Sequence, residues 1–192
     1  LIGLVGSEMC IRDRAIAFIK IGENFKAIQD CDNALKLNPN FNNALINKGI
    51  ALKNLNKFDE AIKCLKKSIS INPNLCETYN NLGNIYKQTG DLKKALEFYN
   101  KSISINSKDI DAYKNKGVIL KEMEEFEASI KSYEEALKIN PDIDYLHAGV
   151  IHSKMFLCDW EKFNEQIQSL KKKILYKNVL AGPFISVSYT HL

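Results

Sequence analysis

The sequence predicts an all-α fold, a right-handed solenoid of stacked helix-turn-helix repeats. Three observations carry this. Gly49, Gly83 and Gly117 stand 34 residues apart. At the same spacing, Ala27, Ala61, Ala95 and Ser129 form a second column of small residues. The third column is Asn38, Asn72, Asn106 and Asn140, followed by Pro39, Pro73, Ser107 and Pro141. A fixed period of this length marks an array of supersecondary units, each burying its apolar face against the next.

In chain order, the periodic pattern begins near Ala15 with the tail of a helix over 15–21, a turn at Gly22-Glu23 and a helix over 25–37. Asn38-Pro39 ends it, because the residue before a proline is pushed out of the helical region. The second pair is 43–55 and 58–71, turning at Asn56-Lys57. The third is 77–89 and 92–105, turning at Gly90-Asp91, and the fourth is 111–123 and 126–139, turning at Glu124-Glu125. A fifth pair, 144–157 and 160–174, keeps the length but loses the small-residue columns. Cys31 shares a column with Leu65, Tyr99 and Tyr133, so it reads as a small core hydrophobe. Tyr79, Tyr86, Tyr99, Tyr113 and Tyr133 fill the larger spaces in and between pairs. Phe25 lies one residue late relative to Phe58.

These spacings resemble the tetratricopeptide repeat over residues 15–143. Residues 144–175 then read as a degenerate, capping helix pair, and 176–192 as a tail. Residues 1–14 do not continue the pattern. GSEMCIRDR near the start and VSYTHL at the end look like translated sequencing-adapter read-through, which makes 1–14 and 187–192 non-native. With Leu1 in place of an initiating Met, the sequence reads as a fragment.

Composition excludes several classes. The chain has 192 residues, 45% hydrophobic and 26% charged, as in ordinary globular domains. No apolar run approaches the ~20 residues of a membrane span. The formal charge of +4 comes from dispersed lysines, and Arg12 and Arg14 are the only arginines. That is not the clustered basic and aromatic pattern of a nucleic-acid groove. The five cysteines form no CxxC pair, which points to a reducing compartment and a cytoplasmic location. His147 and His152 are five residues apart with no third ligand at metal spacing, so no metal site is expected. No cofactor motif and no catalytic arrangement is present. Oligomeric state is not legible.

What remains is the outer face of each first helix. Glu77, Asn81, Asn84 and Gln88 share one face, apart from the packing side of Tyr79, Gly83 and Tyr86. The matching positions are Asn43, Asn47, Ile50 and Asn54 in the second pair, and Asp111, Asn115, Val118 and Glu122 in the fourth. One column is asparagine throughout: Asn47, Asn81 and Asn115. A carboxamide offers both a donor and an acceptor, so it can grip one peptide unit of an extended chain with little demand on sequence. Asn47, Asn81, Asn115, Asn84, Glu77 and Asp111 are therefore the candidate peptide-binding residues, and extended protein segments the expected partners. A chance column in an asparagine-rich sequence is the bland alternative. A clamp for a terminal carboxylate needs converging lysine and arginine, whereas these places hold Glu77, Asp111 and amides. Lys53, Lys87 and Lys121 read as a solvated basic column.

Residues 156–174 form an amphipathic segment, with Asp159 as N-cap, Trp160 opening the helix and a stripe of Phe163, Ile167, Leu170 and Ile174. Cys158, Asp159, Trp160, Phe163 and Leu170, followed by Pro183-Phe184, resemble the junction in O-linked N-acetylglucosamine transferases and their SPINDLY-like relatives. The column Asn47, Asn81 and Asn115 resembles that family's substrate-binding ladder. The resemblance implies a substrate-recruiting arm of a truncated protein O-glycosyltransferase, with no catalytic residue in this chain. A stand-alone tetratricopeptide scaffold binding peptide segments is the alternative.

Overall fold

The computed structural model describes residues 2–158, 160 and 163–177. Ten helices are described: α1 (Ile2–Lys20), α2 (Asn24–Leu37), α3 (Asn42–Asn54), α4 (Phe58–Ile71), α5 (Cys76–Gln88), α6 (Leu92–Ile105), α7 (Ile110–Glu122), α8 (Phe126–Ile139), α9 (Asp144–Phe156) and α10 (Phe163–Lys177). The described residues include no strand. No described helix is long and apolar enough to cross a membrane. The chain divides into two compact units, Leu1–Asp91 and Leu92–Leu192. In the first, each helix packs on the next from α1 to α5, and α3 also touches α1 and α5. In the second, the same holds from α6 to α10, with α7 also against α9.

Two kinds of turn impose the period. Within a pair, the helix ends on a residue with positive φ, at Gly22 (83°), Asn56 (60°), Gly90 (82°), Glu124 (63°) and Cys158 (54°). These five positions are 34 residues apart. At the first, the Gly22 N–H donates to Ile19 O at 3.1 Å and the Glu23 N–H to Phe18 O at 2.8 Å. The same two bonds recur at Asn56-Lys57, Gly90-Asp91 and Glu124-Glu125. This is the left-handed C-terminal cap, which satisfies carbonyls the helix leaves unpaired.

Between pairs, the asparagine column does the work. Asn38 Oδ1 accepts from the Asn40 N–H at 3.1 Å, Asn72 Oδ1 from Asn74 at 3.1 Å, Asn106 Oδ1 from Lys108 at 3.0 Å and Asn140 Oδ1 from Asp142 at 3.0 Å. An asparagine side chain that binds the backbone two residues on makes the turn by itself. Ser107 can therefore replace the proline of the other loops without loss of the turn.

The small columns are buried. Ala27, Ala61, Ala95 and Ser129 are all fully covered. At Gly49, an added Cβ would stand 2.9 Å from Leu65 Cγ, so α3 and α4 approach too closely for a side chain there. Ser129 keeps its place because its hydroxyl donates to Gly117 O at 2.7 Å. Cys31, Leu65, Tyr99 and Tyr133 are buried as a column.

Four details differ from the sequence reading. First, α1 reaches back to Ile2, well before Ala15. Ile11 packs on the cluster of Ala15, Cys31, Ala34 and Ala44, and Arg14 grips the buried Asp30 through two hydrogen bonds of 2.7 and 2.8 Å. Second, α2 opens at Asn24 rather than Phe25, whose ring is 71% exposed. Third, Trp160 is not itself helical, and its side chain is 56% exposed. Fourth, Gly149 restores a small residue in α9 two positions before the glycine column, against Tyr133. Asp159, Pro183, Phe184 and residues 187–192 lie outside the described residues.

Candidate peptide-binding surface

In the first unit, α3 presents Asn47 and α5 presents Glu77, Asn81 and Asn84. Asn47 is 8% exposed, and its Nδ2 has no hydrogen-bond partner. Asn42 Oδ1, on the first residue of the same helix, is also buried and unpartnered. A buried amide donor without a partner costs free energy, of order 1–3 kcal/mol, so native proteins hold few of them. Asn81 and Asn84 are half-buried, and Glu77 is exposed in the first turn of α5. At the far end of α3, Asn54 Nδ2 donates to Asn24 Oδ1 at 3.1 Å, which ties that amide to α2.

In the second unit, α7 carries Asn115 and Asp111. Asn115 is half-buried, while Asp111 is exposed and ion-paired with Lys114. Asp109 caps α7, accepting from the Ala112 N–H at 3.0 Å, and also accepts from the Ser102 hydroxyl at 2.7 Å. These bonds fix the helix that positions Asn115.

The lysine column is not uniformly solvated. Lys53 is half-buried, and burial lowers its pKa. Sequence reasoning also missed the pairing of Lys48 with Asp32 at 2.6 Å. Burial acts to lower the Lys48 pKa, but the hydrogen bond and charge of Asp32 outweigh it and raise it. His147 Nε2 lies 2.8 Å from Pro141 O, and His152 stacks obliquely on Phe156 at 5.0 Å. Among the described residues, no group of three His, Cys, Asp or Glu could hold a metal ion. Among the described residues, Cys31, Cys64, Cys76 and Cys158 form no disulfide.

Family models described as tetratricopeptide repeat match residues 40–108 and 110–143. No curated protein sequence matches the chain. Among solved structures, a crystal structure of MamA protein is similar, at 20% identity and a TM-score of 0.74, covering 92% of this chain and 98% of its own. A second MamA crystal structure has 21% identity and a TM-score of 0.76, covering 85% and 96%. MamA 41-end from Desulfovibrio magneticus RS-1 has 18% identity and a TM-score of 0.76, covering 90% and 98%. At these identities the likeness is one of fold, the tetratricopeptide solenoid. The matches carry the repeat and not the glycosyltransferase junction. Residues 40–108 and 110–143 of the chain are tetratricopeptide repeats.

Proposed function

We propose that the chain is a protein-interaction scaffold in which amides on the first helices hold the main chain of an extended partner segment. What supports this is the asparagine column on successive first helices: Asn81 on α5 and Asn115 on α7 are half-buried and within reach of solvent, while Asn47 on α3 is the most covered of the three. A carboxamide offers both a donor and an acceptor to a main chain laid across it. Asn81, Asn84 and Glu77 extend that surface in the first unit, and Asn115 and Asp111 supply its counterpart in the second. The scaffold acts by binding, with no catalytic role for this chain, in the reducing cytoplasm that its free thiols favour.

The narrower reading, a recruiting arm for a protein O-glycosyltransferase, is supported by the resemblance of Cys158, Asp159, Trp160, Phe163 and Leu170, followed by Pro183-Phe184, and by that of the column Asn47, Asn81 and Asn115. The scaffold reading stands without it. Its test is to select unstructured peptides that bind the chain and to titrate them against Asn47→Ala, Asn81→Ala and Asn115→Ala. Loss of one or two main-chain hydrogen bonds weakens binding roughly ten-fold per site. Unchanged affinity in all three variants removes the amides from the function.

A further inference from the structure

The first unit also holds a cleft that none of the candidate amides lines. The cleft, of about 510 Å³, opens between α2, α3 and α4. Leu35 and Leu45 form its apolar part, and Lys36, Lys48, Lys63 and Lys67 surround it. Lys63 and Lys67 sit one turn apart on α4, a spacing that places like charges on one face.

Two carboxylates bear on this cleft, and both are engaged. Asp32 holds Lys48 at 2.6 Å, and Glu60, one turn before Cys64, is paired with Lys57 at 3.5 Å. Among the described residues, the ammonium groups of Lys36, Lys63 and Lys67 have no ion-pair partner. Lys36 lies in the last turn of α2, where the helix dipole favours a cation.

We propose that this cleft docks an acidic stretch of a partner protein, its carboxylates meeting Lys36, Lys63 and Lys67 while an apolar side chain rests on Leu35 and Leu45. The volume lies within the range of ligand pockets. The lining favours a peptide over a nucleic acid: it has no aromatic ring on which a base could stack and no arginine to take a phosphate in bidentate fashion. Lysine ammonium groups above leucines suit alternating carboxylate and apolar side chains instead.

The test uses the full chain, a fluorescent peptide of alternating Glu and Leu, and the same peptide with Gln in place of Glu. Fluorescence anisotropy is expected to show binding of the acidic peptide alone. Affinity should fall at least ~10-fold in Lys63→Glu/Lys67→Glu, and also on raising salt from about 50 to 500 mM, since exposed pairs are screened. Both lysines are exposed, so the variant should keep the helical circular dichroism of the parent. Asn47→Ala should leave the acidic peptide's affinity unchanged, which separates this cleft from the amide surface. The proposal is overturned if the double variant binds as tightly as the parent, if the Gln peptide binds equally well, or if a single-stranded oligonucleotide displaces the peptide at equal concentration.

Discussion

One edge of the Tyr133 ring packs against Gly117: a Cβ on that glycine would fall 2.6 Å from Tyr133 Cε1. On its other side, a Cβ at Gly149 would stand 3.0 Å from Cε2 of the same ring. One side chain of α8 is thus held between the two first helices beside it.

Gly117→Ala should therefore destabilise the chain by about 1–3 kcal/mol, the usual cost of overfilling a packed core. Gly149→Ala should cost less, because its contact leaves the ring a few tenths of an ångström to yield. Urea unfolding of both variants measures this. Equal and negligible losses would show that the ring is not confined.

The turn column makes the opposite kind of prediction. Glu124 and Cys158 hold positive φ in the place where Gly22 and Gly90 hold it at no steric cost. Glu124→Gly should stabilise by about 0.5–1 kcal/mol, and Gly90→Ala should destabilise by about 1 kcal/mol. Asn56→Gly should gain less than Glu124→Gly, since asparagine tolerates this region. Thermal unfolding of the three variants orders them, and a Glu124→Gly protein that melts below the parent contradicts the argument.

Arg14 and Asp30 test whether the first fourteen residues belong to the fold. The Asp30 carboxylate is 8% exposed and held by both bonds from the guanidinium. Arg14 itself is largely in solvent, which screens the pair, so Arg14→Ala should cost about 1–2 kcal/mol rather than the full cost of a buried ion pair. A chain starting at Ala15 should lose more, since Ile11 also packs on α2 and α3. Truncation without loss of stability would place these residues outside the folded unit.

Alkaline pH should unfold the chain. Burial, then the charges of Asp32 and Asp30, pushes the Cys31 thiol from 9.0 up to about 12. Burial, with a smaller push from Glu122, raises Tyr133 from 10.0 to about 12 against the hydrogen bond to Ser129. Between those pH limits the unfolded chain gives up each proton while the folded chain keeps it. Stability is complete below pH 9 and falls as pH rises, by up to ~1.4 kcal/mol per pH unit for each group. Denaturant titrations at pH 7, 9 and 10.5 under reducing conditions should show this slope, and Cys31→Ala should flatten its first part. A parent as stable at pH 10.5 as at pH 7 contradicts the prediction.

Much of this was legible in the sequence because the period is written in residues whose roles are local. Gly22 and Gly90 mark turns through their own backbone freedom, and Asn38 or Asn106 builds a turn from its own side chain. The boundaries of α4, α6 and α8 follow from such signals alone. Contacts across helices were harder. Nothing at Arg14 announces Asp30 sixteen residues on, and nothing in α2 and α4 taken singly announces that Lys36, Lys63 and Lys67 line one cleft. Trp160 misled for a related reason: a good capping aspartate before it implied a helix start there, but Trp160 is not helical. The amide column was visible as spacing, yet the burial of Asn47 follows from the helices on either side of α3, which spacing does not describe.

The asparagine turns have one more consequence. Because each loop is stitched by its own side chain, a segment cut out between Asn38 and Asn72 leaves behind a junction chemically identical to the one removed. Arrays of this kind can lengthen or shorten by whole modules, with no new loop to invent at the splice.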